Sequence, residues 1–162
     1  MPSPAIQLEN DPDNPCFGCG PNNPSGLNLR FFRGDDKKIF AEKIFDSRYS
    51  AWPGQVHGGV VFVALECTCQ WTFYAAKGQV GPTERFVIDF PSRVLVGEPS
   101  KLVGTVTIEH PQIVSVRAEL IQAGLVRANM EQDIRVVYSR EEFMKLRPAV
   151  KLDSVMERNL PI

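Results

Sequence analysis

The 162-residue sequence has only two histidines, His57 and His110, and four cysteines. That scarcity bounds its metal chemistry. Cys16 and Cys19 form a single CxxC, with no second CxxC and no spaced histidine pair to complete a zinc site, so no metal is expected. A thioredoxin-like role is disfavoured too, because that motif belongs with a βαβ pattern the chain does not show. Cys67 and Cys69 fall inside an apolar stretch and read as small core residues of a protein from a reducing compartment. An excess of either charge is also lacking: 18 Lys and Arg stand against 19 Asp and Glu, which leaves no basic footprint for nucleic acid or an anionic membrane surface. No apolar run approaches the roughly 18 residues of a membrane span, and the first residues carry no basic stretch followed by an apolar one. The expectation is a cytoplasmic protein with neither a membrane nor a nucleic-acid partner.

The length fits one domain around one core. Residues 1–25 contain six prolines, with Asn10, Asn14, Asn22 and Asn23 among them, and read as an irregular lead segment rich in turns. From Gly26 onward, Leu27, Leu29 and Phe31 alternate along a half-buried strand, and residues 37–45 form its hairpin partner across Gly34-Asp35-Asp36. After Gly58-Gly59 an apolar segment runs to about Ala76, longer than four turns, which favours helix over strand. Apolar residues surround its axis, the mark of a buried helix, and Lys77-Gly78 supplies its C-terminal end. Stretches 85–96, 101–109, 112–122 and 125–138 are rich in Val, Ile and Thr. Short connections separate them, which predicts a meander of four antiparallel neighbours. Residues 139–162 form a charged tail, partly helical. The fold class is α+β: an antiparallel sheet wrapped around one long central helix, built from residues 26–138.

One residue stands out in the helical segment. Glu66 is the only charge between His57 and Lys77. A lone carboxylate among apolar neighbours is costly to bury without a partner, or else its pKa rises. Gln70, one turn on, shares its face and can bond it.

With these elements in order, the chain resembles the hotdog-fold acyl-CoA thioesterases of the phenylacetate-degradation type. The resemblance is spread over most of the chain: Cys16-Phe17-Gly18-Cys19-Gly20 with Asn23-Pro24-Ser25-Gly26-Leu27, then Gly54-Gln55-Val56-His57-Gly58-Gly59 at the helix start, then Asp89-Phe90 to Gly97-Glu98. It implies hydrolysis of a small or medium acyl- or aryl-CoA. No cofactor is implied, since CoA is part of the substrate. Gly58 matches the glycine whose backbone N–H polarises the thioester carbonyl, and Glu66 the helix acid that serves as nucleophile or general base. Thr83 falls where relatives place a Ser or Thr that orients water or the acid. His57 is expected to brace the loop before the helix. Gly59, Gln70, Ala51 and Trp52 are the substrate-side candidates. Two departures stand out: the acid is usually Asp in this branch, and some relatives carry a substrate-side Asn where this chain has Ala51.

Chemistry and spacing then combine. A helix N-terminus offers unpaired N–H groups and a positive dipole end to a developing oxyanion. At about 1.5 Å per residue, Glu66 lies roughly 12 Å along the axis from Gly58, beyond side-chain reach of a carbonyl held there. A second helix running in the opposite sense must therefore supply the acid, as in a two-fold homodimer, alone or as a dimer of dimers. Arg85, Arg93, Arg117 and Arg127 are available for CoA phosphates. Trp52, Trp71, Phe73 and Tyr74 are large enough to line a substrate cavity. Two other functions compete. A non-catalytic acyl-CoA-binding or regulatory protein is favoured by Ala51. A hotdog dehydratase or hydratase shares Pro53-Gly54 and the Glu66-to-Gln70 spacing, yet its histidine position holds Trp52.

Overall fold

The computed structural model of the protein describes residues 5–34, 36, 38–138, 141, 142 and 145. The expected partial helix of the tail thus lies largely outside the described residues. Nine strands and one long helix follow in the order β1 (Ile6–Gln7), β2 (Phe31–Arg33), β3 (Ile39–Ile44), β4 (Ser50–Trp52), β5 (Gln55–Val56), α1 (Gly58–Lys77), β6 (Thr83–Asp89), β7 (Pro99–Glu109), β8 (Ile113–Gln122) and β9 (Leu125–Arg135). Seven of the strands form one antiparallel sheet in the order β1-β2-β3-β7-β8-β9-β6, and β4 and β5 form a separate small hairpin.

The helix occupies the expected segment. His57 caps its start, with Nδ1 accepting from the Gly59 N–H, and Gly78 ends it in the left-handed conformation with its N–H on the Tyr74 carbonyl. Val61, Ala64, Leu65, Thr68, Cys69, Thr72 and Phe73 recur at three- and four-residue steps and are buried against the sheet. Thr68 and Thr72 satisfy their hydroxyls on the carbonyls one turn back, each at 2.7 Å. Burial does not run all the way round, however. Gly59, Phe62, Glu66 and Gln70 mark a face of α1 that stays partly open.

Opposite the helix, β8 alternates cleanly: Val114, Val116, Ala118 and Leu120 are fully buried. In β9 the inward column is Ala128, Met130, Gln132 and Ile134, which places one amide among apolar neighbours. β7 crosses the helix so closely at Gly104 that a Cβ there would lie 1.9 Å from Thr72 Oγ1 and 3.1 Å from Thr72 Cβ. Gly104→Ala is therefore expected to lower stability by about 1–3 kcal/mol through overpacking, read as a fall of several degrees in Tm. An unchanged Tm would mean that β7 can back away from α1 freely.

Two expectations are corrected. The strand from residue 26 forms only at Phe31; before it, the Leu27 and Leu29 N–H groups bond the Phe17 and Gly18 carbonyls, so the burial alternation persists against the lead segment instead of a strand. The four-strand meander is in fact three strands. β6 pairs with β9 at the sheet edge and not with β7. The expected strand 85–96 ends at Asp89 because residues 94–96 pair elsewhere: the Val56 N–H bonds the Val94 carbonyl, and the Val96 N–H the Gly54 carbonyl. Buried Gln122 holds this crossover by bonding both the N–H and the carbonyl of Leu95. The lead segment is irregular as expected, apart from β1. Among the described residues, no helix is long and apolar enough to cross a membrane.

Candidate active site

Two clefts open along the helix, and they separate Gly58 from Glu66 and Gln70. A cleft of about 270 Å³ lies between the lead segment and the middle of α1, lined by Glu66, Gln70, Cys16, Cys19, Cys67 and Trp71 among others. A second lies at the helix start, where Gly58, Val61, Phe90, Ser92 and Arg93 meet. Gly58 and Glu66 of one chain thus face different spaces, as their eight-residue separation requires.

At the helix start the first N–H groups can be accounted for one by one. The Gly59 N–H bonds His57 Nδ1 at 2.9 Å, and the Val60 and Val61 N–H groups bond the His57 carbonyl at 2.9 and 3.1 Å. The Gly58 N–H is left without an acceptor among the described residues, at the positive end of a 20-residue helix. Because His57 Nδ1 accepts, the ring carries its proton on Nε2, and its first task is the cap. The Phe90 ring stands 3.7 Å from where a Gly58 Cβ would be, so it walls one side of the donor.

Glu66 is half-buried. Burial pushes its carboxyl above the ordinary range and the nearby Cys16 sulfur adds to the shift, while hydrogen bonding from Gln132 and Gln70 opposes it. The surrounding network is specific. Gln70 Nε2 donates to Thr83 Oγ1 at 3.1 Å and to the Gly81 carbonyl at 3.2 Å. Gln132 Nε2 donates to Thr83 Oγ1 at 2.5 Å, while Gln132 Oε1 has no donor among the described residues. Hydrogen bonding from Gln132 also favours the charged form of Glu66, so the same amide links Thr83 to the acid. Gln70, Thr83 and Gln132 then form one polar thread beside the acid.

Gln132 escaped the sequence reading. The period-two alternation that places Met130 and Ile134 inward puts Gln132 on the same inner face, and a buried amide there needs a partner.

No protein-family model matches the sequence, and no curated protein matches it. Solved structures match the architecture. A thioesterase superfamily protein superposes with a TM-score of 0.66 at 21% identity, covering 72% of this chain and 57% of that one, so the chain spans little more than half of its length. A phenylacetic acid degradation-related protein of Ralstonia eutropha gives 0.61 at 18% identity, over 68% of this chain and 86% of that one. A Streptococcus mutans protein bound to acetyl-CoA gives 0.59 at 13% identity, over 64% and 83%. The chain shares the hotdog fold of these structures.

Within this hotdog framework the remaining predicted residues sort clearly. Ala51 and Trp52 sit on β4, and neither lines the Glu66 cleft or the Gly58 cleft; Trp52 is 72% exposed. Trp71 and Tyr74 do line the Glu66 cleft, whereas Phe73 is fully buried in the core. Arg85 pairs with Asp133, Arg117 with Glu119 and Glu131, and Arg127 bonds Ser92. Arg93 is exposed, has no ion pair among the described residues, and lines the Gly58 cleft of this hotdog protein.

Proposed function

We propose that the protein is an acyl-CoA thioesterase acting as a two-fold homodimer, in which each site joins the Gly58 cleft of one chain to the Glu66 cleft of its partner. The observation that carries this reading is the division of the two groups. An unused backbone donor and a half-buried acid lie on one helix, too far apart to serve one carbonyl, yet both border the open face of that helix. The edge strand beside that face supports the pairing. β6 is seven residues long and, among the described residues, has a neighbour on one side only; its Phe86 and Val87 are 47% and 41% exposed. An apolar edge of that kind invites a second strand. Antiparallel pairing of two β6 edges would lay the two helices side by side in opposite senses.

In this reading the thioester oxygen takes a hydrogen bond from the Gly58 N–H of one chain. Water attacks the carbonyl carbon as the partner's Glu66 accepts its proton; the tetrahedral oxyanion is held at the helix start; its collapse breaks the C–S bond, and the CoA sulfur leaves with the proton from Glu66. The Thr83 hydroxyl and the Gln70 and Gln132 amides hold the carboxylate in place. Arg93, beside the Gly58 cleft and in no ion pair among the described residues, is the arginine best placed for a CoA phosphate. Gly59 spends its N–H on the cap and serves the substrate through its missing side chain alone. Acyl-CoA as ligand is supported by the acetyl-CoA complex of the Streptococcus mutans neighbour. A dehydratase is disfavoured, because neither His57 nor His110 lines the Gly58 cleft or the Glu66 cleft that together would form the shared site.

The test is a panel of short, medium and aromatic acyl-CoA thioesters with free-thiol detection. Release of CoA from at least one class is expected. Binding without turnover across the panel would favour the non-catalytic acyl-CoA-binding reading instead.

A further inference from the structure

The CxxC of the lead segment does not stand alone. The fold brings Cys67 of α1 to it, so that the sulfurs of Cys16, Cys19 and Cys67 all lie within 4.8 Å of one another, with Cys16 and Cys67 at 3.8 Å. We propose that Cys16, Cys19 and Cys67 form a tri-thiolate site for a soft, redox-inert divalent metal ion of the zinc type, with its fourth position open to the Glu66 cleft.

Four observations carry this. The spacing is right: thiolates about 2.3 Å from a tetrahedral zinc ion stand about 3.8 Å apart. A disulfide would instead need two sulfurs at about 2.0 Å and would leave the third unexplained. The loop is also shaped to present its sulfurs. The Cys19 N–H points at Cys16 Sγ at 3.4 Å, the Gly20 N–H closes the turn on the Cys16 carbonyl, and Asn14 Nδ2 reaches Cys19 Sγ at 3.8 Å. Such N–H donors offset thiolate charge in the outer shell of a metal site. Asparagines fix the loop from outside: Asn14 Oδ1 accepts from the Cys16 N–H, and Asn10 Nδ2 donates to the Cys19 carbonyl.

Third, the loop and the helix are fitted to each other at this point. A Cβ on Gly18 would lie 2.3 Å from Cys67 Sγ, so only glycine between the two loop cysteines lets the helix sulfur approach. Fourth, Cys69 supplies the contrast. It is fully buried two residues on, outside the cluster, with its sulfur on the Val116 carbonyl, as expected of a cysteine that serves only to pack. Three thiolates favour soft metals, and a compact tetrahedral sulfur set favours zinc among them. Since all three cysteines and Glu66 line the same cleft, the ion would pin the lead loop to α1 and fix that wall of the cleft.

The test reads metal and not hydrolysis, so its outcome is independent of the thioesterase reading. Protein purified without chelator after growth with zinc is analysed for metal per chain. About one equivalent is expected in the wild type and in Cys69→Ser, and less than about a tenth in Cys16→Ser and Cys67→Ser. Should the serine variants not fold, cobalt(II) titration of the metal-free wild type decides alone: a 1:1 endpoint with sulfur-to-cobalt charge-transfer absorption is expected. Wild-type protein with no retained metal and no charge-transfer band would overturn the proposal. So would a metal-free protein carrying a disulfide between any two of the three cysteines, which would make the cluster a redox pair.

Discussion

Glu66→Gln is expected to lower turnover of acyl-CoA at least a hundredfold, the scale of a lost general base, while leaving the fold intact. The amide keeps the shape and the Gln70 and Gln132 contacts available to the side chain. It also removes the cost of holding a charge in a half-buried site, so Tm should be no lower than in the wild type. Loss of activity together with loss of Tm would point to a structural acid. Turnover equal to the wild type would remove Glu66 from the chemistry. Binding separates these roles further, because the Gly58 N–H, proposed to hold the thioester oxygen, is untouched. KM should change little while kcat falls.

A similarly large effect is expected from a charge on the open sheet edge. Phe86 packs against Phe62 of α1 at 4.8 Å between ring centroids, and almost half of its surface is left to solvent in the single chain. Phe86→Asp should therefore cost the isolated chain little, whereas in the dimer it would set a carboxylate against the partner's apolar edge. Central aromatic residues of an interface are worth about 2 kcal/mol or more, and an unpaired buried charge adds to that, so the dimer should weaken by on the order of a hundredfold or more. Sedimentation at micromolar concentration is expected to show monomer, with near-native circular dichroism and little hydrolysis. A folded, fully active monomer would contradict a shared site.

How much of this was legible in the sequence differs from element to element. The helix was, because its apolar run is long and its ends carry local signals in His57-Gly58-Gly59 and Lys77-Gly78, which the capping geometry bears out. The separation of Gly58 from Glu66 was also legible, since helical rise alone fixes it. Strand existence could be read from local patterns, but strand neighbours could not. The position of β6 beside β9 depends on residues 94–96 pairing with the β5 region, and on Gln122 holding Leu95, neither of which is a local signal. The same limit hid the third cysteine: Cys67 lies 51 residues from Cys16, and only the folded lead segment brings them together. Thr83 and Gln70 were named separately by resemblance and by spacing, and the structure joins them through a hydrogen bond. Ala51 and Trp52 were named by sequence offset from motifs, and offset along a turn-rich segment says little about direction; they border neither cleft.

The central claim is that each site takes Gly58 from one chain and Glu66 from the other. Subunit mixing tests it most directly. Two inactive variants, Glu66→Gln and Gly58→Val, are unfolded together in equal amounts and refolded, and CoA release is measured. If the site is shared, each mixed dimer regains one intact site of two, and random pairing restores about one quarter of wild-type activity. If both groups act within one chain, every site keeps a lesion, and the mixture stays as inactive as its parents.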